Sequence, residues 1–586
     1  MTTQTLEQPP LNVRKPDPRP SSAPWAVRKW PTEATVFAWL LLAGGTLFRI
    51  RCYFHWTSFS LTELELVHNL LTRGFQKLLF EPLDFSQGAP AGFLILERLC
   101  VDVLGTGERI LRLPSLLASL ASLPLFFLLT RRVLTLRGAI LAIALFAGLD
   151  PLIHYSAELA PYSIDVTVAL AILLSAVVVV QRPDRERNLL VLFVVGAVGL
   201  FLSYPAAMVL GGSGAVALGA YLASGKRDGF IRSAAAPIVC AVVWIGLEWV
   251  NVHFFLHPLM YGPTHQELVR DWMQWGGYPP WQPNRAVHWV WAAFHDIFQN
   301  WETMYLGAPD LAMYAAILGL GGLLLGKRRK LGLLLLLPLV LALSAAFRRQ
   351  YPLADHLALY MVPLLIILIA QGIDLIWGKE DLARSAAGGL AAVMLLSGAL
   401  AQSGYEFRWP GGREETKEVY QWLQHNWRTG DLLVLSHVSQ RSFDYYAPRT
   451  GLAGLEQLWP APPGTPMDKA DLLEASTQGA AEQPWFVRAF TPPAFQPSAV
   501  SGYVVLQPDY SSNPGQYLDN MDQICHPDPS WHWPPARRIW FVFARPEDQN
   551  PRVDQLCLAE LDRIAQPGVR HLEDGAAVYF YEVQRP

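Results

Sequence analysis

Eleven apolar runs, divided by short polar turns, set the terms on which this chain can fold. The first covers 34–48. The others cover 110–129, 138–153, 163–180, 188–204, 206–224, 233–250, 308–325, 331–346, 357–377 and 386–402. About twenty mostly apolar residues let a helix cross the ~30 Å hydrocarbon layer of a bilayer. A water-soluble core has no room for so many helices that are apolar on every side. The predicted fold class is therefore a polytopic α-helical membrane protein of about eleven spans. The 586 residues are 52% hydrophobic and 16% charged, which agrees. A net charge of −3 gives nothing with which to track nucleic acid, and that class of partner is excluded. Twenty-one tryptophans suit aromatic belts at the two interfaces. Five cysteines fall into no metal-ligand spacing, and neither cofactor nor metal is predicted. The first thirty residues are Pro-rich and polar and lack the apolar core of a cleavable signal peptide.

The run 89–104 decides the topology, because counting it as a span reverses every later loop. It carries Glu97, Arg98 and Asp102, and charges at mid-bilayer cost several kcal/mol. We read it as an interfacial helix. The basic segments 130–137, 181–187, 225–232 and 326–330 then fall on the cytoplasmic side with the tail 1–31, whose composition predicts disorder. Residues 32–403 form the transmembrane domain. An odd number of spans puts residues 404–586 outside, with the loop after the first span, the loop 150–163 and the Trp-rich loop 251–307.

Beyond 403 the pattern changes. Short apolar segments at 432–438, 502–507, 538–544 and 576–583 predict buried strands, and 414–427 and 551–564 carry helical periodicity. Their alternation predicts a small extracytoplasmic α/β domain. Cys525 and Cys557 lie in it, either bonded to each other or as two buried thiols.

The candidate chemistry gathers at the outer boundary. SLTELELVHNLL (60–71) sets Glu63 and Glu65 just past the first span. Two residues apart on a helix they face different ways, so one of them enters a site. Arg49 and Arg348 are cations on the non-cytoplasmic side, where a guanidinium suits phosphate but also snorkels to headgroups. Glu158, Tyr162 and Asp165 form a second outer cluster. Asp165 begins an apolar span, where an ionisable group has a functional or paired role or caps the helix. Gln87 and Pro90 mark the turn into the interfacial helix, and Tyr351 and His356 bound the YPLADH turn (351–356). The Trp/Tyr-rich stretch 271–291 offers stacking surface for sugar or isoprenoid, or an interfacial belt.

In order along residues 32–450, FSLTELELVHNLL (59–71), PLDFSQGAPAGFLILERL (82–99), GTGERILRLPSLLASLASLPLFFLLTRR (105–132), LDPLIHYSAELAPYSIDV (149–166) and YPLADHLALYMVPLLIILIA (351–370) resemble the GT-C superfamily of polyprenyl-phosphate-sugar-dependent glycosyltransferases. The resemblance is to the bacterial branch related to protein O-mannosyltransferases and aminoarabinose transferases. It implies a sugar donor on undecaprenyl or a similar phosphate and a lipid, glycan or protein acceptor outside the cytoplasm. It also implies transfer with inversion in a bacterial inner membrane. The family's Asp-Glu pair falls on Thr62-Glu63, or on Leu64-Glu65 if the register slips, so the Asp is absent. The resemblance makes Glu63 the preferred base and Glu65 the alternate. It gives Gln87, Glu158, Tyr162, Asp165 and His356 to substrate, with His356 standing where the family has arginine and Arg348 beside it to compensate; Arg49 and Tyr351 are expected at substrate from their outer position beside the acidic loop and the YPLADH turn. Glu108 and Arg112 match a further stretch with a structural role.

The expected function is a membrane glycosyltransferase. The rival is a lipid-linked-sugar transporter, binding protein or scaffold on the same fold.

Overall fold

The computed structural model describes residues 30–582, except 56, 225–229, 258–264, 378–380, 409–413, 453, 460–501, 506–537, 545–557, 560, 564–565 and 574. Within these residues the chain is a bundle of apolar helices carrying a C-terminal mixed sheet. The tail 1–29, Cys525, Cys557 and most of the helix expected at 551–564 lie outside the described residues.

A helix stands at each of the eleven runs. Seven are long and apolar enough to cross a membrane: Thr32–His55, Leu113–Val133, Tyr162–Gln181, Ala234–Leu256, Arg329–Phe347, Asp355–Ile376 and Leu382–Arg408. Leu136–Gly148 and Asp150–Ala157 make one bent pair, broken by 54°. Glu186–Leu202, Ala206–Leu222 and Pro309–Leu325 are shorter. The chain is thus a multi-pass membrane protein, and seven to eight of the eleven expected spans pass on length and composition. The run read as interfacial is the 14-residue helix Ala91–Leu104, about 21 Å long at 1.5 Å per residue and too short to span. Its Arg98 pairs with Asp102 at 3.0 Å. Its Glu97 is buried, and burial pushes that carboxyl well above the ordinary range.

Val362–Ile376 is buried around almost its whole circumference and forms the centre of the bundle. Small residues let Pro309–Leu325 lie against it. A Cβ on Gly319 would strike the backbone of Leu368, and one on Gly372 would strike Ala315. Glycine at both positions removes the side chain that would hold the helices apart.

The bent pair explains Arg49. A helix that breaks leaves its last carbonyls without the N–H four residues on. Arg49 is fully buried in the Thr32–His55 helix and supplies donors there. Its Nη1 reaches Ala147 O at 3.2 Å and Gly45 O at 2.9 Å, its Nη2 reaches Phe146 O at 3.5 Å, and its Nε reaches Ser119 Oγ at 2.8 Å. The Ser403 hydroxyl caps Gly148 O. The guanidinium knits the first span to two neighbours at the kink.

The six-stranded sheet has the order β2-β3-β1-β4-β6-β5, with β1 Leu432–Leu435, β2 Glu456–Trp459, β3 Gly502–Val505, β4 Arg538–Ala544, β5 Gln566–Glu573 and β6 Ala576–Glu582. The β2/β3, β3/β1 and β1/β4 pairs are parallel, while β6 runs antiparallel to both neighbours. Strands expected from sequence became β1, β3, β4 and β6. The largely exposed β5 has no apolar run to betray it. The helices Thr416–Asn426 and His437–Thr450 seat this sheet on the loop after the first span. Tyr446 Oη accepts from Phe59 N at 2.8 Å, Tyr445 Oη donates to Thr106 O at 2.7 Å, and Lys417 Nζ meets Glu108 Oε1 at 2.9 Å.

Candidate functional site

A cavity of about 940 Å³ opens where the loop after the first span, the 154–162 hinge, the Trp-rich loop and the YPLADH turn converge. This size suits a small ligand with part of a chain attached. Ser60 and Thr62 bring the start of the Leu61–Thr72 helix to its wall. Of the residues singled out in the sequence, Gln87, Glu158, Tyr162, Tyr351 and His356 line it. Glu63, Glu65, Arg49, Asp165 and Arg348 are not among the lining residues.

Glu63 is turned away for a local reason. Ser60 caps the Leu61–Thr72 helix in a capping box, in which the Glu63 carboxylate returns to accept from Ser60 N at 2.9 Å. The same carboxylate meets Arg112 in a fork, Nε to Oε1 at 2.7 Å and Nη2 to Oε2 at 2.6 Å, and Oε1 also accepts from Leu159 N at 2.8 Å. Both side chains are wholly inaccessible. Burial alone would depress the Arg112 pKa, but the adjoining Glu63 carboxylate raises it above its ordinary value. The pair ties the first loop to the 158–160 hinge. Thr62, where the family resemblance expects an acid, presents its side of the helix to the cavity.

Glu65 is held by Gln87 Nε2 at 2.8 Å and Arg441 Nε at 3.3 Å. Asp165 is buried inside the Tyr162–Gln181 span, and Arg348 is exposed at the end of the Arg329–Phe347 helix.

Besides Glu248 and Glu414, the polar wall of the cavity carries two carboxylate–imidazole pairs around a tyrosine cluster. His154 Nε2 lies 3.6 Å from Glu158 Oε2. His356 Nδ1 lies 2.7 Å from Glu302 Oε2, and Tyr155 also hydrogen-bonds Glu302. Burial works to raise the Glu302 carboxyl, and the His356 hydrogen bonds and charge outweigh it and hold the carboxyl below the ordinary range. Glu302 is therefore ionised at neutral pH and keeps Nδ1 of His356 a donor. The Tyr162 ring lies 4.5 Å from the His356 ring and 5.2 Å from Tyr155. The YPLADH turn is fixed by Tyr351 Oη to Leu357 O at 3.1 Å and by Leu353 N to Gly277 O at 2.8 Å, which docks the Trp-rich loop beside it.

Among the described lining residues none is Arg or Lys, and the basic side chains there are the imidazoles of His154, His265 and His356. Among the described residues no three His, Cys, Asp or Glu side chains converge as a metal ion needs. Glu302 and Tyr155 escaped the sequence reading. Trp301-Glu302 closes the Trp-rich loop, and a lone carboxylate ending an aromatic stretch before the next span was the available signal.

Residues 88–249 match the family model for dolichyl-phosphate-mannose-protein mannosyltransferase. The resemblance read from the residues is thereby met across the second, third and fourth of the stretches that carried it, leaving 82–87 aside. No curated protein matches the chain. Among solved structures, the chain is similar to oligosaccharyltransferase AglB from Archaeoglobus fulgidus, in complex with an inhibitory peptide and a dolichol-phosphate. The identity is 11% and the TM-score 0.41, covering 71% of this chain and 64% of that one. It is also similar to ArnT from Cupriavidus metallidurans bound to undecaprenyl phosphate, at 11% identity and TM-score 0.45, covering 94% and 98%.

Proposed function

We propose that the chain is a membrane glycosyltransferase that moves a sugar from a polyprenyl-phosphate donor to an acceptor, with inversion, in the 940 Å³ cavity. The observation that carries this reading is the pairing of Glu158–His154 with Glu302–His356 around Tyr155 and Tyr162 inside one cavity. Inverting transfer needs a base for the acceptor hydroxyl and donors for the departing phosphate. Glu158 takes the first role. His356, oriented by Glu302, takes the second, and Tyr162 adds a hydroxyl. Gln87 and Tyr351 shape the walls, and Trp272 and Trp301 offer faces to a sugar ring. The family match over 88–249 supports a lipid-phosphate donor. The basic loops support placing the cavity and residues 404–586 on the extracytoplasmic side of a bacterial inner membrane.

Because Glu63 is bound to Arg112, we assign it to the scaffold and the base to Glu158. The absence of an acid at Thr62 favours one second reading, a non-catalytic donor-binding, transport or scaffold protein.

Radiolabelled polyprenyl-phosphate sugars, offered to wild type, Glu158→Gln, Glu302→Gln and Glu63→Gln in detergent, separate these. The enzyme reading expects transfer by wild type and a loss of about a hundredfold in Glu158→Gln, the scale of one general base. Donor binding without transfer by wild type moves the second reading ahead.

A further inference from the structure

The turn Asp84–Gln87 carries two consecutive non-glycine residues in the left-handed region, Phe85 at φ 61° and Ser86 at φ 54°. Side chains disfavour that region, so such a turn persists only where its surroundings impose it. Its next residues, Ser86 to Ala89, form part of the cavity wall.

What imposes it comes from two directions. The Leu61–Thr72 helix holds the entry: Asn69 Oδ1 accepts from Asp84 N at 2.8 Å, and Asn69 Nδ2 donates to Asp84 O at 3.3 Å. Just past that helix, Arg73 Nη2 meets Asp84 Oδ1 at 2.7 Å. The second hold is from far along the chain. Arg441, on the His437–Thr450 helix of the sheet region, lies 4.2 Å over the Phe85 ring and 3.3 Å from Glu65 Oε1. The other oxygen of Glu65 accepts from Gln87 Nε2 at 2.8 Å. One guanidinium thus lies over the strained turn at Phe85 and reaches Gln87 through its ion pair with Glu65.

We propose that Arg441, Glu65 and Gln87 are a positioning relay through which the C-terminal α/β region sets the shape of the cavity wall at residues 86–89. None of the three supplies a reacting atom. Glu65, whose sequence position marked it as an alternate base, is the middle of the relay. This inference rests on reading the cavity as the donor site, because its kinetic consequence is expressed there.

The test uses the full chain in detergent, as Arg441→Ala, Arg441→Lys, Glu65→Gln and the charge-swapped Glu65→Arg/Arg441→Glu. The first readout is hydrogen exchange of the peptide spanning 82–90, against 113–133 as control. The relay predicts exchange at 82–90 faster by about tenfold or more in Arg441→Ala and Glu65→Gln, with the control unmoved. It predicts partial rescue by Arg441→Lys and by the charge swap. The second readout is sugar transfer. A wall shifted by about 1 Å is expected to lower kcat by up to a hundredfold with KM for donor little changed. Unchanged exchange at 82–90 in Arg441→Ala overturns the relay, as does a loosened turn with wild-type kcat. Loosened exchange in a protein whose wild type transfers no sugar keeps the mechanical link and sinks the enzymatic reading instead.

Discussion

Glu63 and Arg112 form a two-pronged ion pair with no solvent access, 2.7 Å and 2.6 Å between the facing atoms. The carboxylate of the first loop, placed by sequence where a base belongs, is spent on joining that loop to the 158–160 hinge. Removing one partner leaves the other charge buried and alone, which costs about 3–5 kcal/mol. Glu63→Gln is expected to lower the thermal midpoint in detergent markedly, and Glu63→Leu with Arg112→Met to recover more than half of that loss. A Glu63→Gln protein that melts like wild type but transfers no sugar returns the base to Glu63.

Arg49 is expected to answer in stability and not in binding. Its donors satisfy carbonyls of Phe146 and Ala147 at the 54° break, and each buried carbonyl left without a donor costs about 1–3 kcal/mol. Arg49→Met should therefore lose at least about 2 kcal/mol while polyprenyl phosphate binds as before. A tenfold weaker binding at an unchanged melting midpoint contradicts the capping role.

Hydropathy told how many apolar helices to expect and where, because the bilayer demands length and composition alone. It said nothing about how each helix is rotated. Rotation separates Glu158 and Tyr162, which reach the cavity, from Asp165, buried on the same stretch. Arg49 looked like an outer cation because the break beyond Gly148 that needs its donors is invisible in an apolar run carrying one proline. His356 and Tyr351 came to the cavity because a short turn between spans leaves few places to go. Glu302 came with them from a loop whose course depends on its own Gly277 and Asn300 docking to Leu353 and Asp355 of that turn, contacts that no local pattern encodes.

The Glu302–His356 pair has a pH signature. The folded carboxyl titrates below its ordinary value, so its contribution is present in full above the unfolded value of about 4.3 and is lost as pH falls through the lower folded one. The difference in melting midpoint between wild type and Glu302→Gln should shrink as pH falls below about 5. A difference that instead grows below pH ~5 rules out an ionised Glu302 as the partner.

Glu415 should show the opposite sign, at the seat of the sheet region on the first loop. Thr57 Oγ1 lies 3.1 Å from Glu415 Oε2 and 2.7 Å from Glu418 Oε1. Burial first, and then the neighbouring Glu418, push the Glu415 carboxyl up to about 7. A carboxyl raised in the folded state binds its proton more tightly there than in the unfolded chain. Its stabilisation is therefore complete below about pH 4.3 and lost as pH rises toward 7. Glu415→Gln mimics the protonated form. It should match wild type below about pH 4, melt higher at pH 8 by the equivalent of about 2 kcal/mol, and flatten the profile between. Thermal unfolding of the two proteins across pH ~3.5–8.5 decides it. If Glu415→Gln is less stable than wild type at pH 8, the ionised carboxylate is welcome at that interface and burial beside Glu418 does not raise it.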